Sequence, residues 1–343
     1  MSTVTNYMLG STQVRNIYYG SNLIWPLTHD YSQDYLTFEA IDTGKFTWTG
    51  QTESTIYYST DNGSTWTTLY GTYNSPGETT TINAGDKILL KSNFSSNNPG
   101  TFDSTGRFNV MGNIMSLQYG DNFVNQTTLT SIFLALFNGC TQLIDASNLI
   151  LPATTLISSG YTSMFNGCSS LATAPALPAT TLAYDCYEQM FKNCSSLATA
   201  PALPATTLAT LCYGEMFNGC SSLATAPALP ATTLAEQCYS SMFQDCTSLT
   251  TAPELPATTL VDYCYQNMFY GCSSLNYIKC LATIISTYID GTGEHYIFDS
   301  TNNWVNGVAA TGTFIKAASM VTGNNWTTGA NGIPSGWTVQ DAS

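Results

Sequence analysis

Apolar residues in the middle of the chain recur with a fixed period of 26 residues. Each period contains a Leu-Pro step, a Met-Phe pair and a cysteine shortly after the pair. The Leu-Pro steps begin at Leu151, Leu177, Leu203, Leu229 and Leu255, the Met-Phe pairs begin at Met164, Met190, Met216, Met242 and Met268, and the cysteines are Cys168, Cys194, Cys220, Cys246 and Cys272. A period of this length predicts stacked supersecondary units that bury their apolar faces against one another.

Two local patterns fill one period. Residues 234–246 place apolar side chains at i, i+4, i+5, i+8, i+9 and i+12, which predicts an amphipathic helix. Leu223, Ala226 and Leu229 follow the spacing of a leucine-rich-repeat strand. We therefore predict an α/β solenoid of leucine-rich repeats over residues 127–282, with one short strand and one helix per unit. The first and last units are irregular, as terminal units of an array usually are.

The region before the repeats, residues 36–126, alternates apolar and polar residues in short runs separated by turn residues. This pattern predicts an all-β, sandwich-like domain or a barrel. Within it, Ser59, Asp61, Gly63 and Trp66 fit the Asp-box pattern of a β-hairpin. Asp61 is expected to accept turn amides, Gly63 to supply a positive φ and Trp66 to pack under the hairpin, so a single copy indicates a structural turn.

Both ends of the chain predict small β elements. Residues 1–35 form short apolar runs around Gly-Ser turns and are too short to fold alone, which predicts an anchoring arm that docks on the next domain or on a partner assembly. Residues 283–343 are rich in Gly, Thr and Asn, and their apolar runs at 304–308, 312–316 and 337–339 predict strands of a small C-terminal β cap.

Composition restricts the possible partners. Only 9% of the residues are charged, and the formal net charge is −14 with eight Lys and Arg. So few cations cannot form a basic patch, which argues against nucleic acid and anionic membranes as partners. No stretch of 18 apolar residues exists, so membrane insertion is not expected. The first ten residues lack the pattern of a secretory signal, which favours a chain that is not exported by a Sec-type route or one whose signal was removed.

Eleven cysteines could indicate disulfides, a metal site or a catalytic thiol, but nine of them occupy two repeated columns. The first column is the one given above, and the second consists of Cys186, Cys212, Cys238 and Cys264. An odd total in columns favours buried free thiols, while disulfides or a metal site stay as alternatives. Only two histidines are present, His29 and His295, and nothing pairs either of them with a nucleophile. We therefore predict no enzyme, no catalytic residue, no metal and no cofactor, and we expect the acidic Gly-rich residues 290–294 to form a solvated loop.

Comparison of the units with one another indicates a candidate ligand face. The predicted strand keeps the same residues in successive units, namely Thr173, Pro175, Thr199, Pro201, Thr225, Pro227, Thr251 and Pro253. A uniform ladder of this kind suits either a spacer or a repetitive ligand such as a polysaccharide. The tyrosines Tyr187, Tyr213, Tyr239 and Tyr265 resemble a sugar platform, but their position beside a cysteine column favours a core or half-buried column.

The repeated phrases Met-Phe-x-x-Cys-Ser-Ser-Leu and Ala-Pro-x-Leu-Pro-Ala-Thr-Thr-Leu resemble BspA-type leucine-rich-repeat surface proteins of gut Bacteroidales and their crAss-like bacteriophages. Residues 108–117 and 332–339 resemble the segments that flank such arrays, and residues 1–35 are weakly similar to N-terminal segments of phage structural proteins. The resemblance covers most of residues 36–343. It implies surface display and adhesion, and it carries no catalytic or cofactor residues.

The sequence therefore predicts a non-enzymatic virion structural or attachment protein of a bacteriophage, such as a tail fibre, head fibre or decoration protein. Its partners would be other virion proteins, through the arm, and a host cell-surface protein or polysaccharide, with a homo-oligomer as a further possibility. The protein would be assembled in the host cytoplasm and located in the virion. A bacterial cell-surface adhesin is the alternative, and a glycan-active enzyme is a third class that only the Asp-box suggests.

Overall fold

The computed structural model describes residues 29–50, 55–94, 100–283, 300–320 and 326–343, together with the backbone of seven short strands outside these ranges. Four of these strands lie in the arm, namely β1 (Met8–Leu9), β2 (Thr12–Gln13), β3 (Ile17–Tyr19) and β4 (Asn22–Trp25). Strand β1 pairs with β2, and β3 pairs with β4, both antiparallel. The described part of the arm therefore consists of two small ladders.

The N-terminal region forms two open sheets. Their strands are β5 (Leu36–Ala40), β6 (Phe46–Gly50), β7 (Ile56–Ser59), β8 (Thr67–Leu69), β9 (Gly77–Glu78), β10 (Lys87–Lys91), β11 (Gly100–Ser104), β12 (Phe108–Asn113) and β13 (Leu143–Ile150). The larger sheet has the order β13-β12-β5-β10-β7-β8, and the smaller one has the order β11-β6-β9. All pairs are antiparallel except β12 with β13. The predicted sheet-rich region is confirmed, and neither sheet closes into a barrel within the described residues.

Aromatic rings fill the space between the two sheets. Phe38 on β5 is fully buried, and its ring centroid lies 5.1 Å from those of Phe46, Phe102 and Phe108. Alternation along β6 buries Phe46 and Trp48 on one face, which is the two-residue period expected of a half-buried strand. The same core continues into the repeats, because Phe137 contacts Phe38 and Phe102 with centroids 5.9 Å away.

The repeats over residues 127–282 form a stack of 26-residue coils, which we call the repeat array. The predicted helix in each coil is wrong. Within the described residues the α-helical assignment is limited to α1 (Ser116–Tyr119), which precedes the array, and two short 3-10 helices cover Tyr31–Gln33 and Gly120–Asn122. In the coils, every segment expected to be helical is a succession of turns.

Backbone hydrogen bonds show how these turns are built. The amides of Tyr187 and Gln189 donate to the carbonyls of Cys212 and Gly214 in the next coil, at 3.1 and 2.8 Å. The amide of Glu188, between them, donates instead to Asp185 within its own coil, at 3.0 Å. Alternate amides therefore bind the neighbouring coil and close local turns, so the coil is satisfied by stacking rather than by an α-helical ladder.

The backbone dihedrals give the physical reason for the wrong helix prediction. Every fourth residue has a positive φ, with values of 48° at Asp185, 56° at Gln189 and 61° at Asn193. Glycine takes the last of these positions in other coils, as at Gly219 with a φ of 76°. The repeating structure thus has a period of four residues, and over twelve residues an apolar pattern alone does not separate a period of four from 3.6.

A substitution at Gln237 distinguishes the observed turn conformation from an α-helix, because it changes the free energy of unfolding in opposite directions in the two. Gln237 has a φ of 54°, so Gln237→Gly is expected to raise the free energy of unfolding by up to about 1 kcal/mol because an L-residue is strained there. In a helix the same change would lower that free energy by about 1 kcal/mol. Urea unfolding followed by circular dichroism measures it, and Gln237→Val is the matched variant expected to destabilise. A destabilising glycine would contradict the turn geometry.

In the central units, the predicted strand is reduced to isolated parallel bridges, most of them between threonines, whereas the first and last units keep the strands Leu143–Ile150 and Tyr277–Cys280. Thr173 pairs with Thr199 and Thr199 with Thr225, and a second series includes Thr207 with Thr233. The first bridge of the array joins Asp145 on β13 to Thr173. Because β13 also pairs with β12, the larger sheet continues directly into the stack and covers its first coil.

The C-terminal region continues the coiling. The last coils of the array contribute β14 (Thr259–Leu260) and β15 (Tyr277–Cys280). The strands of the C-terminal region are β16 (Ile284–Ile285), β17 (Thr287–Ile289), β18 (His295–Ile297), β19 (Thr313–Lys316) and β20 (Thr338–Asp341). Strands β15, β19 and β20 form a parallel sheet, β14 pairs parallel with β16, and β17 and β18 form an antiparallel pair. The strands predicted at 312–316 and 337–339 are confirmed. The one predicted at 304–308 is wrong, because Trp304 lies in a turn and its carbonyl accepts from Phe269 at 2.8 Å, as in the preceding coils.

Candidate functional site

The threonines and the prolines of the candidate ligand face differ in their exposure to solvent. The four threonines are exposed, whereas Pro175, Pro227 and Pro253 are buried and Pro201 is half-buried. The proline rings therefore pack inside the coil, and the face offers threonine hydroxyls at bridge positions. Beside it lies a shallow groove of about 540 Å³ whose lining includes the exposed residues Ala176, Pro178 and Pro204.

All eleven cysteines are buried and free. Those of the first column donate their thiol hydrogen to a carbonyl of the preceding coil, for example Cys194 to Phe165 at 3.1 Å and Cys220 to Phe191 at 3.1 Å. Burial raises the pKa of these thiols, to about 12 at Cys220, which keeps them protonated and unreactive at neutral pH. The cysteine columns therefore hold the coils together, as their placement in the sequence predicts.

The tyrosine column lies in the core. Tyr161, Tyr187, Tyr213, Tyr239 and Tyr265 are 0–1% exposed, and successive rings stack at 5.8–6.2 Å. A parallel column of phenylalanines, such as Phe191, Phe217 and Phe243, stacks at 5.7–5.8 Å. Burial raises the pKa of every one of these tyrosines. The tyrosine column therefore contributes to packing in the core, and a ligand has no access to it.

The outer side of the turns carries the residues that vary between coils. Glu215 accepts from Gln189 in the preceding coil at 3.0 Å and from Asn218 at 3.1 Å, and it also pairs with Lys192. Burial raises the pKa of Glu215, but these hydrogen bonds and the Lys192 charge together outweigh it and lower the pKa. The residues that differ between coils therefore include pairs that hydrogen-bond from one coil to the next.

The Asp-box forms the predicted hairpin between β7 and β8. Asp61 accepts from the Thr65 hydroxyl at 2.6 Å and from its amide at 2.8 Å, and the Gly63 amide donates to the Ser59 hydroxyl at 2.8 Å. The two hydrogen bonds from Thr65, with one from the Ser59 hydroxyl, lower the pKa of Asp61 to about 2. Gly63 has the expected positive φ, 86°. Trp66, however, is half-buried on the outer face of the larger sheet, where its ring meets Tyr35 at 5.2 Å.

A pocket that the sequence interpretation missed lies beside this tryptophan. It has a volume of about 410 Å³, and its walls include Tyr57, Trp66, Tyr119 and Asp121. The alternation of β7 is a signal that could have indicated Tyr57, since Ile56 and Tyr58 point into the core and the residue between them must point outward. Its other walls come from distant parts of the chain.

The remaining candidate groups are the histidines, the acidic Gly-rich residues 290–294 and clusters of metal-ligating side chains. His29 hydrogen-bonds Asp34 near the surface, and the side chains of His295 and of the loop 290–294 lie outside the described residues. Over the ranges that the structure describes, no group of three or more His, Cys, Asp or Glu could hold a metal ion. No helix among those residues is long and apolar enough to cross a membrane.

Comparisons with protein-family models, with curated proteins and with solved structures found no match to this chain. The resemblance to BspA-type proteins therefore stays a prediction.

Proposed function

We propose that the chain is a non-enzymatic structural or attachment protein of a bacteriophage virion that displays a leucine-rich-repeat-like array for binding to a host surface. The array in this proposal is an unusual member of that class, with turns in place of helices. The observation that carries the proposal is the stacking of identical columns from coil to coil. An array stabilised only by neighbouring coils is stiff along its length, which suits a spacer that presents a binding surface.

The two ends of the array fit this role. The larger sheet covers the first coil, and the coils that contain Trp304 and Trp326 continue beyond the last regular one. The cysteine columns support the non-enzymatic part of the proposal, because their thiols are protonated packing groups. A bacterial cell-surface adhesin is the second candidate, since the sequence resemblance includes such proteins.

The proposed anchor is the arm. Contacts near residue 35 indicate where a deletion of the arm should end. Residues after 28 already pack on the N-terminal sheets, because the Asp34 carbonyl accepts from Asn113 at 2.9 Å and the Tyr35 ring lies 4.9 Å from Phe123. Deletion of residues 1–28 rather than 1–35 therefore separates anchoring from folding.

The deleted chain is expected to keep its circular dichroism spectrum and its binding to host cells, and to be lost from phage particles assembled in its presence. Mass spectrometry of purified particles, with the full-length chain as control, measures incorporation. Absence of the full-length chain from particles, with presence in outer-membrane fractions, would favour the adhesin. Normal incorporation of the deleted chain would remove the anchoring role.

A further inference from the structure

We propose that the pocket beside Trp66 binds a neutral saccharide, with Tyr57 as the stacking platform and Asp121 as the hydroxyl acceptor. We call it the Trp66 pocket; its walls include Tyr57, Trp66, Asn93, Tyr119, Asp121 and Asn122. Its volume of about 410 Å³ falls in the range of small-ligand sites. The proposal rests on the proposed attachment function for the source of the sugar, while the chemistry rests on the pocket alone.

The register between β7 and β10 places the stacking platform, Tyr57, beside the polar groups of the pocket. Tyr57 on β7 pairs directly with Lys91 on β10, so their side chains lie side by side on the outer face of the larger sheet. Tyr57 is 37% exposed, as the alternation of β7 requires of a residue between the buried Ile56 and Tyr58. An exposed aromatic face on a rigid strand is the surface that the apolar C–H face of a sugar ring requires.

Two hydrogen bonds hold the acceptor in place. Asp121 Oδ1 accepts from Lys91 Nζ at 2.6 Å and from the Tyr35 hydroxyl at 2.9 Å. The Asp121 side chain is nevertheless 64% exposed, and its Oδ2 has no hydrogen bond from a described residue. One oxygen therefore orients the carboxylate, and the other is free to accept a ligand hydroxyl.

The charges in the pocket favour a neutral ligand. Lys91 is bound to Asp121 and lies 4.0 Å from the centroid of the Trp66 ring, so its ammonium group is already compensated from two sides. Its hydrogen bond, with that of Tyr35, lowers the pKa of Asp121, which keeps the carboxylate ionised as an acceptor. Burial and the same carboxylate raise the pKa of Tyr35 to about 12, which keeps its hydroxyl a donor. Among the described residues that line the pocket, no cation remains free for an acidic sugar.

The side-chain amides complete the site. Asn93 and Asn122 are exposed on the pocket walls, and an amide offers both a donor and an acceptor. A sugar hydroxyl also has both functions, whereas a carboxylate or an ammonium ligand has one. An aromatic ring, an oriented carboxylate and two amides around one cavity therefore match a polyhydroxylated ring.

The test uses the full chain and an array of immobilised neutral and acidic glycans, followed by calorimetry with the tightest neutral glycan. Tyr57→Ala and Asp121→Asn are each expected to weaken that binding by at least about tenfold. Asp121→Asn is also expected to raise binding of acidic glycans, because Lys91 loses its counter-charge. The control is Tyr73→Ala, since Tyr73 is 75% exposed in the same domain and away from the pocket; it is expected to bind like the original chain.

Several results would overturn the assignment. These are binding of no neutral glycan, binding of acidic glycans alone, or unchanged affinity in both pocket variants that keep their circular dichroism spectrum. Host-cell binding separates this inference from the proposed function. If the Tyr57→Ala chain binds cells as well as the original chain, attachment stands and the pocket is not its site. If the original chain binds the glycan through Tyr57 but binds no cells, the pocket stands and attachment fails.

Discussion

Raising the pH from about 8 to about 10 is expected to unfold the repeat array under reducing conditions. Burial raises the pKa of all eleven cysteines above the ordinary value of 9.0, to about 12 at Cys186, Cys212, Cys264 and Cys280 among others. The unfolded chain then loses thiol protons that the folded chain keeps. Stability is therefore fully present below pH 9 and decreases as the pH rises from about 9 towards about 12.

The number of thiols makes this effect large. Each thiol that ionises only after unfolding lowers the free energy of unfolding by about 1.4 kcal/mol per pH unit. Eleven of them lower it by about 15 kcal/mol per unit, which equals or exceeds the whole stability of a typical protein. The buried tyrosines act in the same direction at higher pH, since burial raises their pKa as well. We expect the midpoint of unfolding to lie within about one pH unit above 9.

Urea unfolding at a series of pH values, with a phosphine reductant present, measures the slope. The matched variant replaces Cys212 and Cys238 with alanine, which removes two buried thiols and leaves the first column intact. Its free energy of unfolding is expected to fall less steeply, by about 3 kcal/mol per pH unit above pH 9. A stability that is independent of pH between about 8 and 10 would mean that the thiols ionise equally in both states.

The repeat was predictable from the sequence because stacking imposes it on every coil. Residues 26 apart occupy equivalent places, so the Leu, Met, Phe and Cys columns of the structure coincide with the columns of the sequence. The conformation inside the coil was not predictable in the same way. The first two positive-φ positions of a coil take residues as different as Leu211, Gln237 and Glu215, which give no signal of a left-handed backbone. The last position does give one, because Gly, Asn or Asp occupies it in each of these coils, at Gly167, Asn193, Gly219, Asp245 and Gly271.

The domain boundaries show a similar limit. The change from alternating residues to the 26-residue period places a boundary near residue 126, but the sheet and the core both cross it. The amide of Phe102 on β11 donates to the Leu136 carbonyl at 2.8 Å, which joins the smaller sheet to the first coil as well. A change of sequence pattern marks a change of local geometry, and it contains no information on whether two hydrophobic cores merge.

The two candidate binding surfaces differ in how they could be found. The threonine and proline ladder is visible in sequence because it repeats, yet burial of most of its prolines is set by the path of the coil. The Trp66 pocket depends on β7, β10 and the residues after α1, which lie up to 65 positions apart. Its strand register places Lys91 beside Tyr57, and the residues around Asp121 reach the pair only after folding.

Replacing Phe217 with alanine is expected to lower the free energy of unfolding by about 3–5 kcal/mol. Phe217 is fully buried in the middle of the array, and its ring stacks on Phe191 at 5.7 Å and on Phe243 at 5.8 Å. Removing it leaves a cavity that neighbouring coils cannot close, because their amides are hydrogen-bonded from coil to coil, as in Phe217 to Met242 at 2.9 Å. The loss affects the interfaces with both neighbouring coils.

The same variant tests how the array unfolds. In a stack that is stabilised by nearest neighbours, a weakened central coil uncouples the two halves, so the dependence of unfolding on urea should become less steep. Tyr184→Ala is the control, since Tyr184 is 51% exposed on the array, and its effect is expected to stay within about 0.5 kcal/mol. If Phe217→Ala lowers the free energy of unfolding by less than about 1 kcal/mol, the phenylalanine column does not hold the coils together. Stiffness along the array would then have to come from the backbone hydrogen bonds alone.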